Sequence, residues 1–351
     1  MGLGAIVVVG AEREDFCSNS RQGERLFPHP LAYVDVLGRS MVDRTVERFS
    51  RADVETVTVL AAESSGHVPV LESGLDQMNF QVVSDLPSAI AQQLSDYSSR
   101  GIEHSFVVSG SIYVETDLVD MFYFHREARQ AVTRTLDSEG PMDLSLVDCA
   151  KAQHTDLESL FTPPEETSAS YFIRDYVSRL KHPRDLRRIA SDALCGRSAI
   201  RPSGREIKPG IWIDDGADVR RRARIVAPAY IGRGSTVQED TLITRFSSIE
   251  KDCYVDCGTV IESSLVLPNT YIGICLDVCH AVASGSKLLS LGHEVLVEIS
   301  DPSVMRSNGS IPQEMGLNRS HHEEQPIVAD LQQTQPPASE TWQLGADTIQ
   351  G

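Results

Sequence analysis

The sequence predicts an α/β domain with a mostly parallel sheet, followed by a parallel β-helix. Three observations carry this reading. Aliphatic residues recur every six positions through the middle of the chain. Short apolar runs alternate with amphipathic stretches in the first half. Between the two patterns lies "PRDLRRIASDALCG", a segment started by proline and stopped by glycine.

The opening "GAIVVVGAERED" predicts a buried strand over 5–9 that ends at Gly10 and runs into Glu12, Arg13, Glu14 and Asp15. Many phosphate sites begin this way, because backbone N–H groups after such a strand face phosphate oxygens. The three carboxylates would repel those same phosphates. Further strands are expected at 56–61, 80–83 and 105–108, and helices at 40–51, 89–100 and 118–130. Helices between short buried strands imply a mostly parallel sheet. The stretch 135–170 has loop composition. The segment 183–196 reads as a helix with Leu186, Ile189, Ala190, Ala193 and Leu194 on one face. It is expected to join the two domains and to cover the open end of the first coil.

In the repeat, Ile207, Ile213, Val219, Ile225, Ile231, Val237, Ile243, Ile249, Val255, Ile261 and Leu267 follow one another at six-residue intervals. Two residues before most of them sits a compact side chain, as at Ala217, Ala223, Ala229, Ser235, Thr241, Ser247, Cys253 and Thr259. Each hexad forms one side of a three-sided coil, with its aliphatic residue pointing into a narrow prism where only a compact neighbour fits. Stacking at strand spacing, about 4.8 Å, pairs the backbones and builds an aliphatic column. Three hexads per coil give roughly four coils. The register is expected to slip near Pro268, to resume through Ile272 and Val278, and to end by Ser284. "EVLVEISDP" predicts one last strand, and the polar stretch that follows predicts a disordered tail. The domain boundaries that result are 1–182, a linker helix 183–204, the repeat 205–284, a terminal strand 285–306 and the tail 307–351.

Composition narrows the partners. With 50 acidic against 32 basic side chains and a formal net charge of −18, the chain has little positive field for nucleic acid or an anionic membrane. The apolar start is too short for a secretory leader and no apolar run approaches a membrane span, so a cytoplasmic protein is expected. Seven scattered cysteines read as reduced thiols. Cys253, Cys257, Cys275, Cys279 and the adjacent His280 invite a zinc reading, but their spacers fit a zinc ribbon poorly and Cys253 falls on a compact inward position. Packing is the expected role.

An α/β half followed by a hexapeptide repeat resembles the sugar-nucleotide pyrophosphorylases, which join a sugar 1-phosphate to a nucleoside triphosphate. In "GERLFPHPLAYVDVLGRSMVDRTVERF" the chain keeps Arg25, Leu26, Pro28, Pro30, Gly38 and Arg39 of that family's motifs, with His29 where the family has lysine. The strand end "FVVSGSIYVETDL" is similar to the family's Gly-Asp, but Gly110 is followed by Ser111 in place of the magnesium-binding aspartate. "RLKHPRDLRRIASDALCG" is similar to the family's second metal segment through Pro183, Asp185, Arg188, Leu194 and Gly196, and puts Arg179 on the other metal aspartate.

The resemblance implies a Rossmann-like nucleotidyltransferase sheet, a left-handed winding of the β-helix, and a nucleotide or sugar-phosphate ligand. It also implies chemistry that depends on Mg2+ in an active member, because joining two phosphates needs a cation to gather their charge. Ser111 and Arg179 are unsuited to holding that ion, so no metal site and no cofactor are expected unless the protein is active. An arginine can instead neutralise a phosphate directly. The candidate nucleotide- or phosphate-binding residues are therefore Gly10, Arg13, Arg25, Arg39, Gly110 and Arg179. The leading expectation is a relative with degenerate catalysis that serves as a ligand-binding or assembly partner in sugar-nucleotide or polysaccharide metabolism. The alternatives are an active sugar-1-phosphate nucleotidyltransferase, with Asp85, Glu115 or Asp117 as replacement carboxylates, and a hexapeptide acyltransferase with His280 as base. Flat β-helix faces point to a homo-oligomer.

Overall fold

The computed structural model describes residues 2–10, 26, 29–63, 78–152, 160 and 170–309. Arg13 and Arg25, the acidic residues after Gly10, and the tail from 310 onward lie outside the described residues.

The α/β half contains β1 (Gly2–Val9), α1 (Met41–Arg51), β2 (Thr56–Ala62), β3 (Met78–Val83), α2 (Leu86–Ser99), β4 (Ile102–Ser109), β5 (Ile112–Val114), α3 (Leu118–Ala128), β6 (Val132–Asp137), β7 (Gly140–Asp148), β8 (Ser170–Phe172), β9 (Val177–Arg179) and α4 (Pro183–Leu194). Local chemistry fixes the ends of several helices. The Ser40 hydroxyl accepts from Asp43 N–H at the start of α1, and one Asp117 oxygen accepts from Val119 and Asp120 N–H at the start of α3. Asp185 accepts from the Lys181 and His182 N–H groups at the start of α4.

The main sheet runs β8-β6-β7-β4-β1-β2-β3. β1 pairs in parallel with both β2 and β4, and β2 pairs in parallel with β3. Four of the six pairings are parallel, as expected of a mostly parallel sheet, and the two antiparallel ones lie in the other half. β7 is antiparallel to β4 and to β6, while β8 is parallel to β6, so the sheet is mixed. Much of the stretch expected to be loop is therefore strand. In β7, buried Met142, Leu144 and Leu146 alternate with Asp143 and Ser145, and the buried Ser145 hydroxyl is satisfied by the Leu160 carbonyl. Aspartate and serine at the alternate positions hid a strand whose apolar period is two. β5 and β9 form a separate antiparallel pair beside the sheet.

The second half is three sheets visited in rotation. Ile213, Ile231 and Ile249 pair in parallel register 18 residues apart, as do Val219, Val237 and Val255 in the second sheet and Ile225, Ile243 and Ile261 in the third. These side chains form one buried cluster down the centre. Two expectations about this register are corrected. Ile207 belongs to Arg205–Lys208, a strand antiparallel to Ile211–Ile213, so the parallel stacking starts after it. The slip comes one hexad early: Ile249 pairs with Val266 and Tyr254 with Tyr271, an offset of 17, so Val266 takes the inward place and Leu267 packs outward with α4. The missing residue is lost at the corner around Ser263 and Ser264.

The compact positions do chemical as well as steric work. Ser235 Oγ donates to the Glu250 carbonyl at 2.6 Å and accepts from Cys253 N–H at 2.9 Å. Thr259 repeats this between the Gly273 carbonyl and Leu276 N–H, and Ser264 between the Val278 carbonyl and Ala281 N–H. Corner backbone that strand pairing leaves unpaired is satisfied from inside. Cys253 stands in the same place, buried, with its thiol on the Leu267 carbonyl at 3.1 Å.

Helix α4 was expected over the open end of the first coil. Instead Leu186, Ile189 and Ala190 pack against Tyr230, Leu265 and Val282, on the outward face of the first sheet. The stack ends in antiparallel strands. Lys287–Ser290 folds back on Ala281–Ser284, Val295–Glu298 follows it, and Met305–Ser307 pairs against Thr270–Ile272. One terminal strand was expected here, and three are found. Among the described residues no helix is long and apolar enough to cross a membrane.

Candidate ligand site at the switch point of the sheet

From β1 the chain builds outward through β2 to β3, then returns to place β4 on the other side of β1. The carboxyl ends of β1 and β4 thus flank a topological switch point, the place where open α/β sheets hold ligands. Gly10 and Gly110 sit at those two ends. Gly110 N–H donates to the Val8 carbonyl at 2.7 Å, and Gly10 has φ 89°.

The role of Gly110 is steric. A Cβ there would lie 3.0 Å from Val9 Cγ2 and 3.1 Å from Ala32 Cβ, so the glycine lets the short turn Leu31–Tyr33 close over the strand end. His29 is half-buried just ahead of that turn.

The two positions at which the resemblance places metal carboxylates do come together in the backbone. Leu180 N–H donates to the Ser111 carbonyl at 2.7 Å, and Arg179 pairs with Ile112. Their side chains do not make a cation site. Ser111 Oγ is 2.7 Å from Ser109 Oγ, and Arg179 brings its own positive charge. Magnesium does not fit this donor set.

Arg179 is already neutralised. Its two terminal nitrogens reach both oxygens of Asp137 at 2.7 Å, and Nη1 is also 3.0 Å from Glu139. The pair is largely covered, with 14% and 9% of the two side chains exposed. The guanidinium holds the Asp137 carboxyl below the ordinary range, and the carboxylate raises the arginine in turn. A bidentate pair of this kind is the strong form of an ion pair. It lines an open polar cleft of about 360 Å3 that also contains Phe172, Arg174 and Arg188.

The remaining candidates are likewise engaged. Arg39 is bound to Glu47 at 2.8 Å. Of the replacement carboxylates, Asp117 caps α3, Asp85 accepts from Ser88 Oγ, and Glu115 accepts from Ala199 N–H. Half-burial raises the Glu115 carboxyl above its ordinary range. His280 lies exposed at a corner with φ 49°, so the acyltransferase reading gains no enclosed base.

The most constrained polar cluster was missed by sequence reasoning. Glu250, fully buried, accepts from Leu37 N–H at 2.8 Å, Gly38 N–H at 2.9 Å and the Ser248 hydroxyl. Burial pushes its carboxyl up to about 7. Arg44 reaches the Val36 and Leu37 carbonyls from the other side, and Lys251 binds Asp35 at 2.9 Å. The turn that carries Gly38 and Arg39 is thus bolted to the repeat. A Cβ on Gly38, at φ 87°, would lie 2.4 Å from the Tyr230 hydroxyl. Glu250 had no signal in the sequence, because an outward glutamate in a hexad is ordinary until another chain segment covers it.

No protein-family model and no curated protein matches the chain.

Proposed function

We propose that the chain is a nucleotidyltransferase-like protein with degenerate catalysis, and that it acts as a ligand-binding or assembly partner in sugar-nucleotide or polysaccharide metabolism. The finer fold reading belongs to the same proposal. Rotation through three sheets at 17- and 18-residue offsets supports a β-helix, and the resemblance supplies its left hand. The strand order around β1 supports a nucleotide-type crevice.

One observation carries the loss of activity: at the position of a metal aspartate, Arg179 is held by Asp137 and Glu139. Phosphoryl transfer needs cationic charge delivered to the reacting phosphates, and here the charge of Arg179 is already matched by Asp137 and Glu139. Any ligand that used Arg179 would first have to displace Asp137.

The test mixes purified protein with nucleoside triphosphates, sugar 1-phosphates and Mg2+, following pyrophosphate release, and measures melting temperature against the same ligands with and without Mg2+. No pyrophosphate is expected. A ligand that binds only the folded state at 100 times its Kd contributes about 2.7 kcal/mol and raises the melting temperature whether or not Mg2+ is present. Pyrophosphate release would overturn the degenerate reading in favour of the active enzyme, and no shift across the panel would leave assembly as the role.

A further inference from the structure

We propose that Cys257 and Cys275, on neighbouring circuits of the repeat, are a thiol pair that closes to a disulfide in exchange with a low-molecular-weight disulfide. The inference is independent of the nucleotidyltransferase reading.

Val260 pairs with Asp277 and Ile261 with Val278, an offset of 17. The same offset sets Gly258 beside Cys275 and leaves Cys257 one residue along the diagonal. A spacing between circuits of about 4.8 Å combined with one Cα–Cα step of about 3.8 Å gives a Cα separation of roughly 6.1 Å. Disulfides span about 4.4 to 6.8 Å between Cα atoms. Direct contacts agree with this. Cys275 N–H donates to the Cys257 carbonyl at 2.9 Å, and a Cβ built on Gly258 would lie 3.0 Å from Cys275 Sγ and 3.9 Å from its Cα.

The corner itself is unusual. Cys275 has φ 53°, in the series where the two preceding circuits have Asp240 and Gly258. Glycine or a short polar side chain ordinarily takes such a position. Here a thiol takes it, turned over a glycine that has no side chain to exclude it. Both cysteines are exposed. The neighbouring thiols do not compete. Cys253 is buried with its sulfur on the Leu267 carbonyl, and Cys279 pairs with Glu262, five residues along the chain from Cys257.

The chemistry balances by two exchanges. One protein thiolate attacks the small disulfide, forming a mixed disulfide and releasing one small thiol. The second protein thiolate attacks the protein sulfur of that mixed disulfide and releases the other. Two protein thiols are oxidised and one small disulfide is reduced to two thiols. Burial and the Asp256 carboxylate push the Cys257 thiol up, so the exchange quickens at alkaline pH.

The experiment treats the full chain with oxidised glutathione, then digests it unreduced with trypsin and a glutamate-specific protease. Cleavage at Lys251, Glu262 and Lys287 puts Cys257 and Cys275 on separate peptides. The expected product is a cross-linked peptide pair two hydrogens lighter than its parts, lost in both C257S and C275S and retained in C253S and C279S. Oxidation of the wild type is expected to raise the melting temperature on the order of 5 °C, reversed by reductant and absent from C257S and C275S. Those two variants replace exposed side chains, so their reduced forms should melt with the reduced wild type. A cross-link that survives in either variant, separate glutathione adducts on the two cysteines, or thiols left unmodified would each overturn the pairing.

Discussion

Arg179 shows how a single side chain redirects a site. Where the resemblance expects a carboxylate to draw in a cation, a fixed guanidinium faces Asp137 and Glu139 and ties β9 to the turn between β6 and β7. Removing one partner of a mostly buried pair leaves the other charge desolvated and unmatched. Arg179→Ala is therefore expected to cost about 3 kcal/mol in urea unfolding, and Asp137→Asn less, since the amide oxygen still accepts from the guanidinium. A loss under about 0.5 kcal/mol for Arg179→Ala would mean that the pair is a solvated contact of no structural weight.

Among the elements, periodicity decided what could be read in advance. The aliphatic hexads, the four helices and the first strands announce themselves because one chemical rule repeats over many residues. β7 does not, since its inward apolar positions alternate with Asp143 and Ser145, and the buried Ser145 hydroxyl is satisfied by the Leu160 carbonyl. The one-residue slip at Ser263 and Ser264 is hidden for a related reason: Leu265, Val266 and Leu267 are all aliphatic, so composition cannot say which faces in. Of the candidate site, the resemblance named Ser111 and Arg179, while the neutralising partners of Arg179 come from a hairpin distant in sequence. The compact positions make their own prediction. Ser235→Ala fills the same space but strands Cys253 N–H and the Glu250 carbonyl, at a cost of about 2 kcal/mol. Ser235→Cys should recover part of that, because Cys253 shows a thiol bonding to a carbonyl at the equivalent place. Denaturant melts that rank the two variants in the opposite order would remove the hydrogen-bonding role.

Across the whole molecule, two buried titrations act in opposite directions. Glu250, raised from 4.5 to about 7, holds its proton more tightly folded than unfolded, so its contribution is complete below about 4.5 and is lost as pH rises through 7. His125, buried on Thr133 at 2.7 Å and pushed down to about 4 chiefly by burial, refuses a proton that the unfolded chain accepts. Its contribution is complete above about 6.5 and is lost as pH falls toward 4. Glu250→Gln should therefore gain on the wild type between pH 5 and pH 8, and His125→Gln should gain on it between pH 7 and pH 4. Parallel melting curves for variant and wild type would refute either assignment. The carboxylate that sets the alkaline limb also anchors the turn at Gly38, so loosening it should raise hydrogen exchange at Leu37 and Gly38.

The antiparallel strands at the two ends of the stack have a consequence for how the protein behaves in a crowd of its own copies. A pile of parallel rungs is a one-dimensional crystal: each rung templates the next, and nothing in the rungs themselves says when to stop. Arg205–Lys208 runs against Ile211–Ile213 at one end of the first sheet, and Met305–Ser307 runs against Thr270–Ile272 at the other end of the second, so at those two edges an incoming parallel rung meets a strand of the wrong polarity. They act as growth terminators at those two edges of the crystal.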